Sequence, residues 1–87
     1  MENQITKEEY RKRVLEKLKK NCSDEHGVLL DKERFDECVK NHLDDYLEDS
    51  YNRYLSTSER EECKEMTDDE YTKATISQCV SCLELEY

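Results

Sequence analysis

Phe35-Asp36-Glu37-Cys38-Val39-Lys40-Asn41-His42-Leu43-Asp44-Asp45-Tyr46-Leu47 is the stretch whose reading decides the fold. Its apolar positions fall as Phe35, Cys38/Val39, His42/Leu43 and Tyr46/Leu47, and the pattern continues through Tyr51 to Tyr54/Leu55. A strand would alternate every second residue; this spacing belongs to a helix. Asp31 supplies an N-cap before it, and Ser56-Thr57-Ser58 closes it. The apolar pairs recur every four residues, so the stripe drifts around a helix of about 3.6 residues per turn. A long helix with more than one neighbour along its length would use that drift. Asn52, close to Ser50, is a candidate bend.

The rest of the chain reads the same way. There is no proline, and Gly27 is the one glycine, which argues against many short strands joined by turns. Thr6 with Glu9 has capping-box spacing, and Ile5 with Tyr10 has hydrophobic-staple spacing. Tyr10, Val14, Leu15 and Leu18 then form an apolar stripe, and the helix should end near Asn21-Cys22. Val28, Leu29 and Leu30 read as an apolar plug ahead of the next helix. Ser58 with Glu61 and Thr67 with Glu70 are two further capping boxes. The second opens a last helix carrying Tyr71, Ile76, Cys79, Val80 and Leu83. Beyond it, Leu83 to Tyr87 alternates like a strand or an extended tail. The expected fold is all-α: one domain over residues 1–87, a small antiparallel bundle of about four helices.

Composition narrows the function. Of the 87 residues, 43% are charged and 34% apolar. So lean a domain often needs a disulfide, a metal or a partner as a staple. No apolar run reaches the roughly 18–20 residues that span a bilayer. Met1-Glu2-Asn3-Gln4-Ile5 lacks the basic and apolar regions of a secretory leader. Residues 1–20 carry a net +3 and residues 21–87 a net −12, together −9. An acidic body repels nucleic acid and suits a basic protein surface.

The cysteines suggest the staple. Five thiols are an odd number, so a pure disulfide framework leaves one over. A reducing, cytoplasmic setting is the better fit, and there a Cys/His cluster more often means metal. Helix one up, helix two down and the last helices up would gather Cys22, His26, Cys79 and Cys82 at one end. Two short-spaced pairs from opposite ends of the chain are what a structural zinc site needs. Cys38 or His42 is the substitute ligand. The competing readings are buried free thiols and a secreted, disulfide-linked domain. A closed four-ligand site has no open position for substrate, and no phosphate loop or catalytic triad is present, so no enzyme is expected.

The acidic positions Glu37, Asp44, Asp45, Glu48 and Asp49, with Tyr51 and Tyr54 as anchors, form the candidate partner-binding face. In size, acidity and helicity the whole chain resembles the small phage and prophage anti-CRISPR proteins, particularly the inhibitors of the nuclease Cas9. Those families share no common motif, so the resemblance assigns no residue. It implies a non-enzymatic inhibitor that binds a nucleic-acid-handling effector and blocks guide or target loading in the host-cell cytoplasm. The alternative is a zinc-stabilised helical adaptor without any link to nucleic acid.

Overall fold

The computed structural model describes residues 4–87. Met1, Glu2 and Asn3, part of the stretch read above for a leader, lie outside the described residues. The elements are α1 (Lys7–Asn21), α2 (Lys32–Cys38), a π-helical turn (Val39–Leu43), α3 (Asp44–Leu55), α4 (Thr57–Glu62) and α5 (Asp68–Glu86). α2, the π turn and α3 follow one another without a break as a single rod.

Local chemistry explains most boundaries. Thr6 Oγ1 accepts from the backbone N–H of Glu9 at 3.1 Å. Glu9 does not complete the box; its carboxylate bonds Arg13 Nε at 3.2 Å instead. Asp31 caps α2 by accepting from Arg34 N at 3.0 Å. Thr67 and Glu70 form the full reciprocal box, at 3.1 and 3.2 Å. The Ser58/Glu61 box does not form. The cap position of α4 is Ser56, two residues earlier, which leaves Ser58 inside the helix.

The four-residue drift is resolved by the π turn. Phe35 and Cys38 are buried, and the next buried position is Leu43, followed by Leu47 and Tyr54. Cys38 to Leu43 is a five-residue step, which the i→i+5 bonding of a π turn accommodates. One inserted residue thus brings the second half of the rod back into phase with the core. The expected bend at Ser50–Asn52 is absent, since α3 runs unbroken. Ser50 instead makes a cross-helix bond, its Oγ lying 2.6 Å from the Tyr10 hydroxyl.

Two other expectations are corrected. The apolar plug is only half formed: Leu29 is half-buried, while Val28 and Leu30 are 61% and 73% exposed. This segment is extended, with Ser23 and Leu29 in an isolated antiparallel bridge, so successive side chains point to opposite sides. Gly27, at φ +80°, makes the tight turn, and Asp24 Oδ1 accepts from the N–H groups of His26 and Val28. The alternating C-terminal stretch is helical through Glu86, with Leu83 buried and Leu85 86% exposed.

α1, the α2–α3 rod and α5 take the expected up, down, up course. Tyr10 meets Ser50 in the middle of α3, and Asn21 meets Glu84 near the end of α5. Cys38 meets Leu83, and Tyr71 meets Arg53. α1 and α5 therefore run parallel, and the α2–α3 rod runs antiparallel to both. Short α4 links α3 to α5 at the lower end. There Arg60 donates to the carbonyls of Cys63 and Met66 and to Asp68, at 2.8–3.0 Å. Its guanidinium also stacks over Tyr71, fixing the α4–α5 turn. The core joins Tyr10, Val14 and Leu18 to Leu43, Leu47, Tyr54, Ile76, Val80 and Leu83. Tyr10, Tyr51, Tyr54 and Tyr71 form a chain of ring contacts at 5.3–5.8 Å.

Candidate functional site

All five thiols are free. Cys22, at the end of α1, is buried near Glu84 and Tyr87. Cys79 is buried, with its Sγ directed at the Tyr46 carbonyl 3.9 Å away. Cys82 is half-buried. Asn21 is level with Glu84, so Cys79 lies about 7.5 Å further down the axis of α5 at ~1.5 Å per residue. A tetrahedral zinc site needs every sulfur about 2.3 Å from one ion. The His26 side chain is 78% exposed, with Nε2 3.5 Å from Glu25. Cys22, His26, Cys79 and Cys82 are therefore at one end of the bundle only loosely, and at different levels.

The substitute ligands are also apart. The Cys38 thiol donates to the Leu83 carbonyl at 3.5 Å, and His42 Nε2 faces Glu86 at 3.8 Å. Among the described residues, no three His, Cys, Asp or Glu side chains converge in a way that could hold a metal ion. Burial raises the thiol pKa of Cys22, Cys38 and Cys79. That keeps them protonated, which suits packing better than nucleophilic or ligand chemistry.

The acidic face does form. Glu37, Asp44, Asp45, Glu48 and Asp49 are all exposed, with the Asp44 and Asp49 side chains at 85% and 70%. Asp44 lies 3.9 Å from Arg11, and Asp49 lies 3.5 Å from Arg53. Such exposed pairs are worth about 0–1 kcal/mol and leave the face free to exchange partners. Lys7, Arg11, Lys12, Lys17, Lys19 and Lys20 are exposed on α1 beside the exposed Glu8 and Glu16, and the rod carries exposed Lys32, Arg34, Lys40 and Arg53 among its acids, so each helix has an excess of one sign and some of the other.

The tyrosine anchors are corrected. Tyr54 is 2% exposed. Its hydroxyl oxygen accepts from Ile5 N at 3.0 Å and hydrogen-bonds Thr72 Oγ1 at 3.1 Å. Tyr51 is half-buried and donates to the Ile5 carbonyl at 3.0 Å. Both tie the segment before α1 to the core, as buried tyrosines with a satisfied hydroxyl do. Tyr54 presents no free ring to a partner, and Tyr51 stays partly open.

One surface was missed. From Ala74 to Leu83 there is no charged residue, in a chain where 43% of positions are charged. Ile76, Cys79, Val80 and Leu83 are the buried half of that run. Ala74, Gln78 and Ser81 are exposed and continue into Leu85. The charge gap is visible in the sequence, but the thiols Cys79 and Cys82 within it give the stronger signal. Beside it, between α3 and α5, is a cavity of ≈ 50 Å³ lined by residues that include Tyr46, Asp49, Gln78 and Cys82. Tyr46 donates to Glu86 at 2.8 Å, and this bond to a carboxylate raises the Tyr46 pKa.

Compared with known proteins, the chain matches no family model, no curated protein and no solved structure. Among the described residues, no helix is long and apolar enough to cross a membrane.

Proposed function

We propose that this chain works by binding another protein, as a non-enzymatic inhibitor of a nucleic-acid-handling effector such as the CRISPR nuclease Cas9. The acidic face of α2–α3 would occupy a basic groove that otherwise receives guide or target nucleic acid. The observation that carries this reading is the placement of Asp44, Asp45, Glu48 and Asp49. They stand exposed on one helix, and Leu43, Leu47 and Tyr54 anchor that helix in the core. Rigidly held charges that are mostly of one sign, with Asp44 and Asp49 lying near a base, Arg11 and Arg53, present a directional field. Such a field speeds encounter and selects a complementary partner. Free thiols fit a reducing compartment such as the host-cell cytoplasm.

The test is a DNA-cleavage assay with purified Cas9, adding this protein before or after guide loading and at two salt concentrations. Inhibition that weakens with salt, and is lost in the combined Asp45→Lys, Glu48→Lys, Asp49→Lys variant, supports the reading. Salt-insensitive inhibition, or inhibition unchanged in the variant, removes the acidic face from the mechanism. No inhibition in any order of addition removes Cas9 as the target.

A zinc-held version of the same module needs Cys22, His26, Cys79 and Cys82 to converge, which requires the loop after α1 to repack. One zinc per chain, lost in Cys79→Ser, would support it. Metal-free, folded protein with every thiol titratable would remove it.

A further inference from the structure

We infer that the outer face of α5, together with the acidic edge of α3 beside it, is a docking site for a cationic amphipathic helix. This rests on the reading that the chain acts by binding a protein partner, and it names where and what that partner presents.

Ala74, Gln78, Ser81 and Leu85 are exposed and fall at i, i+4, i+7 and i+11, one line along a helix. The line is about 16 Å long at ~1.5 Å per residue, enough for three turns of a partner helix. Small side chains at Ala74 and Ser81 allow close approach, and Leu85, 86% exposed, is the largest apolar contribution. The cavity of ≈ 50 Å³ opens along the same edge. It has room for a small apolar branch, since a water's share of liquid volume is about 30 Å³. Interfaces are built this way, with a core depleted in charge and a charged rim.

The rims choose the partner. On the α3 side the strip is bordered by Asp49 and Arg53, an exposed ion pair at 3.5 Å that lines the cavity, and by the exposed Asp45, so the acids exceed the bases by one. On the α1 side the border is Arg13, Lys17 and Asn21, at successive i+4 positions, with Asn21 bonded to Glu84. A helix with Leu-like residues on one stripe and Lys or Arg on the flank facing α3 satisfies both the strip and the acidic rim. A net charge of −9 favours a cationic occupant over a second copy of this chain.

The experiment uses the full chain, isotope-labelled, titrated with a synthetic helix of about 18 residues. The peptide carries Leu at i, i+3, i+4 and i+7 and Lys elsewhere; its control replaces Lys with Glu. The expected result is amide shifts at Ala74, Gln78, Ser81, Leu85, Asp45 and Asp49. Binding should weaken at least about tenfold in Ser81→Arg, an exposed change whose fold is checked by circular dichroism, and be absent with the Glu peptide. Shifts confined to the outside of α2–α3, with Ser81→Arg binding like wild type, overturn the inference but leave the acidic-face reading standing. Equal binding of the Glu peptide overturns the cationic assignment. Concentration-dependent shifts of the same residues without peptide assign the strip to a second copy and overturn the proposed occupant.

Discussion

Deleting Asn41 should leave the fold intact, whereas deleting Glu48 should destroy it. Both residues are exposed, both lie in the same rod, and each deletion removes one residue. Removing a residue from a regular helix rotates everything beyond it by about 100° and withdraws it by ~1.5 Å. Without Glu48, Leu47 keeps its place but Tyr54 leaves the core. Tyr54 is 2% exposed and bonded to Ile5 N and Thr72. Loss of a large buried aromatic costs about 3–5 kcal/mol, and the buried partners it abandons add about 1–3 kcal/mol. A domain this small has a total stability near the lower end of ~5–15 kcal/mol. Asn41 instead sits in the π turn, Val39–Leu43. Its removal converts the five-residue step from Cys38 to Leu43 into a four-residue step, the ordinary α spacing. Leu43, Leu47 and Tyr54 then stay on the core side. The interaction most exposed to loss is His42 with Glu86, worth about 0–1 kcal/mol as a partly exposed pair. Urea denaturation followed by helical circular dichroism reads the difference. Wild-type stability to within about 1 kcal/mol is expected for the Asn41 deletion, and no cooperative transition for the Glu48 deletion. Two deletions of equal severity would refute the account of the π turn as the device that rephases the rod.

Two further outcomes follow from the same geometry. Tyr54→Phe keeps the ring but takes the acceptor from Ile5 N, while Thr72 Oγ1 keeps its bond to the Asp68 carbonyl; it should cost about 1–3 kcal/mol. At ~4–8 °C per kcal/mol for a domain of this size, a melting temperature lowered by less than about 4 °C would refute the hydroxyl's role. Stability should also fall at alkaline pH. Burial holds Tyr10, Cys22, Cys38 and Cys79 above their ordinary values of 10.0 for tyrosine and 9.0 for cysteine. Above those values the unfolded chain releases these protons first, so folding is progressively opposed. The stability from the neutral groups is complete below about pH 8.5 and lost as pH rises through the folded values. Urea midpoints measured from neutral pH upward check this, and a flat profile through the thiol and phenol ranges would count against it.

Local signals were the legible ones. Asp31 and the Thr67/Glu70 pair announce helix starts because a cap needs only neighbouring residues. Tyr10, Val14 and Leu18 announce a face because one period governs them all. Ser58/Glu61 misled because Ser56 offers a competing start and spacing alone cannot rank the two. The π turn was half visible: a drift showed in the pairs Cys38/Val39 and His42/Leu43, but which member of each pair goes inward depends on α1 and α5. Tyr51 and Tyr54 were misread because a tyrosine beside acids looks the same whether its hydroxyl meets water or Ile5. Cys22 and Cys79 shared an end of the bundle on paper. Their separation along the axis depends on how far each helix runs past the other, which no spacing encodes.

The chain of tyrosine rings has a consequence for observing this molecule. With no tryptophan in the sequence, ultraviolet emission comes from phenol rings alone. Tyr10, Tyr51, Tyr54 and Tyr71, which touch one another where α1, α3 and α5 meet, are four of the six tyrosines. The emission is thus a built-in optical probe of the helix junction itself, and it will register separation of the helices without any label being attached.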